Sequence, residues 1–112
     1  MALSKPHSWI RLGADFTDIM WNDGGLAALK AGGRELCLVR RGTEVLACAG
    51  LCPHAGAQMV KGYVDARGQL VCPLHHYRFD PATGRNVTGE GYLLRTYPVE
   101  QREDGLYVGI PL

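Results

Sequence analysis

Two short segments that each combine a cysteine, a proline and a histidine constrain the fold of this chain more than any other feature. The first runs from Cys52 to His54, the second runs from Cys72 to His75, and seventeen residues separate His54 from Cys72. Each segment lies in a predicted loop at the tip of a hairpin, so the two loops can face each other. Thiolate and imidazole groups are common metal ligands in proteins. The sequence therefore predicts a fold that brings two loops together around a metal.

The rest of the chain is typical of short strands joined by tight turns. Fifteen glycines and six prolines disfavour long helices. Apolar runs flank glycine-containing turns, which predicts β-hairpins. We expect an all-β fold, with one short helical turn between Asp15 and Trp21. The three predicted hairpins turn around Arg41-Gly42, Arg67-Gly68 and Asp104-Gly105.

Composition limits the size and the partners of the fold. The chain has 112 residues, of which 46% are hydrophobic, which fits one domain over residues 1–112. A formal net charge of +1 does not favour a nucleic-acid partner. We find neither a signal-peptide pattern nor an apolar stretch of membrane-spanning length, so we expect a soluble, cytoplasmic protein with no membrane partner. In that compartment four cysteines are expected to be free thiols or metal ligands.

Two metal centres are compatible with two cysteines and two histidines. Tetrahedral zinc accepts this set, although zinc fingers usually take both cysteines from one element and both histidines from another. In this chain each loop supplies one cysteine and one histidine. That division suits a Rieske 2Fe-2S centre, in which two cysteines bind one iron and two histidines bind the other.

The segments CPHAG and CPLHHYRFDPATG resemble the two cluster-binding boxes of the Rieske ferredoxin family, and the strand pattern is similar over nearly the whole chain. The resemblance implies a Rieske fold: a sandwich of antiparallel sheets with a small cluster-binding subdomain, formed by hairpin-tip loops at about 51–59 and 72–80. It implies that Cys52 and Cys72 bind one iron, and that His54 and His75 bind the other, outer iron.

The chain departs from the respiratory, cytochrome bc branch of that family at four positions. Ala57 and Leu74 occupy the positions of two further cysteines that form a disulfide there, and Tyr77 and Phe79 occupy the positions of hydroxyl donors to the cluster. Without that disulfide and those hydroxyl donors, less of the negative charge that reduction adds to the cluster is offset. We therefore expect a potential in the low part of the Rieske range.

The resemblance implies a soluble one-electron carrier. It would accept electrons from an NAD(P)H-dependent flavoprotein ferredoxin reductase and pass them to a terminal oxygenase of the ring-hydroxylating type, docking transiently near His54 and His75 with no turnover of its own. Two alternatives remain open: a small subunit of an NADH-nitrite-reductase-like complex, and a structural zinc-binding module.

The remaining residues generate further expectations. Cys37 and Cys48 are expected to be buried free thiols and diagonal neighbours on one hairpin, and His76 is expected to be an exposed residue that binds no metal. Residues 87–94 contain no proline where many family members have a proline-rich loop over the cluster, so the sequence leaves the shielding of that side open. A mildly basic docking end is expected from Arg67, Arg78, Arg85 and Arg95.

Overall fold

The computed structural model describes residues 6–112 and is built from ten strands in three antiparallel sheets. The first sheet has the order β1-β10-β9, the second has the order β2-β3-β4-β8, and the third has the order β5-β6-β7. Two short 3-10 helices cover Phe16–Asp18 and Met59–Lys61. The strands are β1 (His7–Gly13), β2 (Leu26–Ala31), β3 (Arg34–Arg41), β4 (Glu44–Ala49), β5 (Tyr63–Val64), β6 (Leu70–Val71), β7 (Arg78–Phe79), β8 (Thr96–Tyr97), β9 (Val99–Arg102) and β10 (Gly105–Pro111).

The second sheet lies at the centre of the molecule because both of its faces are buried. Successive side chains of a strand point to opposite faces. Leu36 and Leu38 of β3 pack in a cluster with Val108 of the first sheet. Cys37 and Val39, which alternate with them, belong to a second cluster that is shared with the third sheet. The first sheet thus closes one side of the sandwich, and the small third sheet closes the other.

The second cluster forms the floor of the region that carries the two segments in which a cysteine and a histidine are paired. It contains Cys52 and Cys72 together with Met59, Leu70 and Phe79, each of which is at most 2% exposed. Each cysteine comes directly after secondary structure that this floor fixes: Cys72 follows β6, and Cys52 follows β4 and one intervening bridge. The apolar floor therefore determines where both loops begin.

The all-β prediction and the pairing of the three predicted hairpins are confirmed, although the turn of the third lies at Glu103-Asp104, since Arg102 pairs with Gly105. β3 pairs with β4, β5 with β6, and β9 with β10. The predicted helical turn is confirmed only as the 3-10 turn Phe16–Asp18, whose first residues are capped by the Asp15 carboxylate, which accepts a hydrogen bond from the Thr17 N–H at 2.8 Å. A single domain over residues 1–112 stays a prediction.

The predicted relation between Cys37 and Cys48 is half right. Both thiols are free and buried, as expected. They are not diagonal neighbours, however, because Cys37 pairs directly with Cys48. The prediction centred the turn on Arg41-Gly42, whereas Arg41 pairs with Glu44, so the turn is one residue further along the chain. Moving a turn by one residue moves every partner on the returning strand by two.

Among the residues that the structure describes, no helix is long and apolar enough to cross a membrane. The sequence-based expectation about a signal peptide concerns the N-terminus, where residues 1–5 lie outside the described part of the chain.

Variants of Cys37 and Cys48 test whether these two buried thiols contribute to the metal site. We expect the double variant Cys37→Ala, Cys48→Ala to keep its iron, because neither thiol lies in the two loops. It should lose about 1–3 kcal/mol of stability, since two buried sulfur atoms are replaced by empty volume. Iron analysis together with thermal unfolding would check both points. Loss of iron in a folded variant would mean that one of these thiols supports the cluster directly.

Candidate metal centre

The two loops that carry the cysteine and histidine pairs are closed by the same backbone hydrogen bond. In the first loop the N–H of Cys52 donates to the carbonyl of Ala57 at 2.7 Å, and in the second the N–H of Cys72 donates to the carbonyl of Tyr77 at 2.8 Å. Gly56 turns the first loop with a φ of 71°, in the left-handed region that glycine tolerates best. Each cysteine thus starts a tight loop that carries its histidine.

The second loop makes the corresponding turn without a glycine. His75 and His76 both lie in the left-handed region, with φ values of 66° and 58°. Residues with a Cβ atom occupy this region at a cost of about 1 kcal/mol or more. Backbone strain of this kind is found most often at functional sites.

The two thiols of the site are buried beside each other. Cys52 is 2% exposed and Cys72 is fully buried, and all four cysteines of the chain are free. Burial, together with the neighbouring Cys52 thiol, raises the pKa of Cys72 to about 11. At neutral pH this thiol therefore keeps its proton unless a positive charge beside it stabilises the thiolate. A metal ion supplies that charge and displaces the proton.

The two imidazoles form a second pair. The ring centroids of His54 and His75 are 5.2 Å apart. His75 is exposed and His54 is partly buried. The Nδ1 atom of His54 is buried and has no hydrogen-bond partner within residues 6–112. A buried polar atom without a partner calls for an explanation, and a metal bond to that nitrogen provides one.

These donors fit a 2Fe-2S centre because they lie as a pair of thiols and a pair of imidazoles. Such a centre takes two protein ligands on each iron. Among the described residues, no group of three or more His, Cys, Asp or Glu side chains has the close arrangement that holds one metal ion. The structure places Cys52 beside Cys72 and His54 beside His75, which are the two pairs that their residue types predict.

Two tyrosines cover the His54 side of the site. The ring centroid of Tyr77 is 4.4 Å from that of His54, and the centroid of Tyr92 is 5.3 Å from it. The two tyrosine rings stack on each other at 6.0 Å and 24°. Partial burial raises the pKa of Tyr77, and the Glu90 carboxylate adds to this effect, so its hydroxyl stays neutral at physiological pH.

Tyr92 was not predicted from the sequence to belong to the site. Residues 87–94 occupy the place where many family members have a proline-rich loop over the cluster, and without a proline there the sequence left the shielding of that side open. Tyr92 is the one aromatic residue in that segment, which was the available signal. Its position depends on how the segment folds back, and the sequence pattern does not reveal this.

The arginines of the predicted basic docking end are not equivalent. Arg78 pairs with Asp65 at 3.2 Å, so its charge is offset. Although partial burial acts in the opposite direction, backbone hydrogen bonds from Gln69 and Arg67 and the pairing with Arg78 hold the pKa of Asp65 below its usual range. The guanidinium of Arg95 lies 5.4 Å from the ring centroid of Tyr97.

The fold and the paired donors define a class: an all-β protein that holds an iron-sulfur cluster between two loops. The sequence of residues 12–98 matches the model of the family described as "Rieske [2Fe-2S] domain". The chain belongs to the Rieske [2Fe-2S] domain family, and its cofactor is a Rieske-type 2Fe-2S cluster.

Known proteins similar to this chain include carriers from oxygenase systems. The ferredoxin component of the naphthalene 1,2-dioxygenase system of Pseudomonas putida is 36% identical over 93 residues, which cover 82% of this chain and 86% of that protein. The ferredoxin of carbazole 1,9a-dioxygenase from Nocardioides aromaticivorans IC177 has a similar structure, with a TM-score of 0.77, 30% identity, and coverage of 94% of this chain and 99% of that chain.

A third similar protein belongs to another functional group. It is assigned as the small subunit of an NADH-dependent nitrite reductase from Mycobacterium tuberculosis, with a TM-score of 0.80, 19% identity, and coverage of 95% of this chain and 97% of that chain. At that identity the similarity concerns the fold alone.

The strained turn provides a test of the role of His76. We expect the visible spectrum of the cluster to be unchanged in both His76→Ala and His76→Gly, because His76 is exposed and is not a predicted ligand. His76→Gly should be the more stable of the two by about 1 kcal/mol, since only glycine adopts this φ without a Cβ penalty. Absorption spectra and thermal unfolding would measure both effects. A colourless His76→Ala protein would show that His76 binds iron.

Proposed function

We propose that this protein is a one-electron carrier that links an NAD(P)H-dependent flavoprotein reductase to a terminal oxygenase of the ring-hydroxylating type. The observation that carries the proposal is the pair of loops in which two buried thiols lie beside each other and two imidazoles are adjacent. The similarity to the ferredoxin component of a dioxygenase system supports the choice of partners. We place the protein in the cytoplasm, where NAD(P)H is available and where thiols stay reduced.

We propose that Cys52 and Cys72 bind one iron and that His54 and His75 bind the other. When bound, the cluster supplies a single-electron couple between two oxidation states. The chain provides the rest: it excludes water from the thiols, fixes both imidazoles and leaves His75 exposed at the surface. The protein has no catalytic residue in this scheme and carries out no turnover alone.

The groups around the site favour a potential in the low part of the Rieske range of about −150 to +300 mV. Phe79 carries no hydroxyl and is fully buried. Ala57 and Leu74 cannot form the disulfide that links the two loops in the respiratory branch. With fewer hydrogen bonds to offset the added negative charge, reduction is less favourable.

The exposed side chains around the loops favour an apolar docking surface. Leu51 and Leu74 are 44% and 42% exposed, and both lie next to proposed ligands. Arg78, which was expected to contribute positive charge, is paired with Asp65. We therefore propose that apolar contact contributes more than charge to docking, through a small and short-lived interface.

The proposed ligand set is tested by electron paramagnetic resonance of anaerobically purified, dithionite-reduced protein, with iron and zinc measured on the same sample. We expect about two irons per chain and a rhombic signal with the low average g-value of mixed cysteine and histidine ligation. His54→Ala and His75→Ala should each abolish or strongly alter the signal, because each removes an iron ligand. A silent spectrum with one zinc per chain would establish the structural zinc alternative instead.

The choice between an oxygenase carrier and a nitrite reductase subunit requires a transfer assay. The reductase and oxygenase components of the Pseudomonas putida naphthalene 1,2-dioxygenase system are suitable test partners. We expect this chain to replace their ferredoxin component in NADH-dependent substrate oxidation. A cluster-containing protein that is not reduced in this assay would contradict the proposed partners while leaving the cluster assignment intact.

The same assay tests the apolar docking surface. Leu74→Ser should raise the KM for the carrier about fivefold or more, as expected when an apolar contact worth about 1–2 kcal/mol is lost, with a smaller change in kcat. Met20→Ser is the matched control, because Met20 is 92% exposed and lies outside both loops. An unchanged KM in Leu74→Ser, combined with a steep dependence on ionic strength, would show that charge determines docking.

A further inference from the structure

The segment that follows β7 folds back over the site and is organised by one side chain, Asn86. The Oδ1 atom of Asn86 accepts hydrogen bonds from the backbone N–H groups of Glu90 at 2.6 Å and Gly91 at 3.0 Å. Its Nδ2 atom donates to the carbonyl of Arg78 at 3.1 Å and to the Glu90 carboxylate at 3.1 Å. One amide group therefore ties the start of the segment to its end and to β7.

Backbone contacts hold both ends of this segment against the body of the protein. The N–H of Val87 donates to the carbonyl of Arg78 at 2.9 Å. On the far side, Leu94 donates to the carbonyl of Gly84 at 2.9 Å, and Arg85 forms a bridge with Leu93. Since Arg78 begins the strand that follows the second metal-binding loop, the segment is fixed relative to that loop.

The fixed end of the segment carries Tyr92. Its ring lies against His54 at 5.3 Å and stacks on Tyr77 at 6.0 Å, so the two tyrosines together form a wall beside His54. His75 is exposed, and of the two tyrosines only Tyr77 lies near it, at 6.1 Å between ring centroids. Aromatic rings in such contact with each other provide rigid apolar area that excludes water.

We propose that Asn86 is a positioning residue that holds Tyr92 against His54, and that the Tyr77 and Tyr92 rings limit the access of water and small oxidants to the histidine side of the cluster. This inference rests on the proposed ligand role of His54. It assigns a function to residues 86–92. In this segment side-chain hydrogen bonds provide the rigidity that proline rings provide in the corresponding loop of many family members.

The hydrogen bonds explain why a segment rich in glycine can serve as a wall. Gly89 and Gly91 adopt φ values of 89° and 82°, so the backbone turns sharply at two positions. Such a turn has a high conformational entropy when it is free. The Asn86 amide fixes it by binding backbone groups on its far side, much as a side-chain cap fixes the end of a helix.

Exposure of the cluster to solvent is the property that tests this proposal. The first measurement is the rate at which the visible absorbance of the oxidised holoprotein is lost in air. The second is the deuterium modulation in the pulsed paramagnetic resonance of the reduced protein in D₂O, which reports exchangeable hydrogens near the cluster. Neither readout requires a redox partner.

We expect Tyr92→Ala to lose its absorbance several-fold faster than the wild type and to show a deeper deuterium modulation, because the wall beside His54 is opened. Tyr92→Phe should behave like the wild type, since the ring and not the hydroxyl forms the contacts. Tyr63→Ala is the matched control: Tyr63 is 42% exposed, similar to the 37% of Tyr92, and lies in β5.

Asn86→Ala should reproduce the effect of Tyr92→Ala. The double variant Asn86→Ala, Tyr92→Ala should bleach no faster than either single variant, because Asn86 acts through Tyr92 and the two effects do not add. A merely structural role of Asn86 would instead give effects that add.

Three results would overturn the inference. They are a Tyr92→Ala protein with the lifetime and modulation of the wild type, a control that bleaches as fast as Tyr92→Ala, and additive effects in the double variant. None of these three results contradicts the presence of a cluster in the wild type. Absence of iron from the wild type would instead reject the proposed function from which the inference starts.

Discussion

The burial of two neighbouring thiols at the start of the two loops is the constraint on which the rest of this structure depends. A buried thiol such as Cys72 keeps its proton in an apolar environment, and the buried nitrogen of His54 lacks a hydrogen-bond partner within the described residues. The unpartnered nitrogen is unfavourable in an apolar environment, and a thiolate at Cys72 would need a positive charge beside it. A cluster held by the proposed ligands would provide both the bond to the nitrogen and the positive charge. The site is thus complete only as a holoprotein, and folding and cluster binding are expected to be coupled.

The sandwich serves this site by fixing where the two loops begin. β3 is buried on both faces, so its side chains alternate between the core below the first sheet and the floor of the metal site. Each loop is then closed by a hydrogen bond between its cysteine and a carbonyl five residues further on. Because the same hydrogen bond closes both loops, two similar sequence segments form two loops of similar shape. The strain at His75 and His76 is tolerated because strands on both sides anchor the second loop.

The predictable parts of the structure are those that local chemistry determines. Glycines such as Gly42 and Gly68, which adopt positive φ, indicated turns, and the spacing of cysteine and histidine indicated the loops. The register of the hairpin that contains Cys37 was missed by one turn position, because neighbouring turn residues have similar propensities and only the packed sheet selects between them. Tyr92 was missed for a different reason. Its place depends on hydrogen bonds of Asn86 that connect residues through a folded segment, and no periodicity in the sequence marks such contacts.

The two histidines of the site have different surroundings, and this difference suggests a direction for electron transfer. His54 lies against both stacked tyrosine rings, whereas His75 is exposed and only Tyr77 of the two tyrosines lies near it, at 6.1 Å between ring centroids. The imidazole of His75 is therefore the more accessible of the two to a partner that approaches the loops. Because electron transfer falls off with distance, the exposed ring offers the shorter path. If His54 and His75 bind the outer iron as proposed, the more covered His54 side would protect a reduced cluster, and the exposed His75 would let the electron leave.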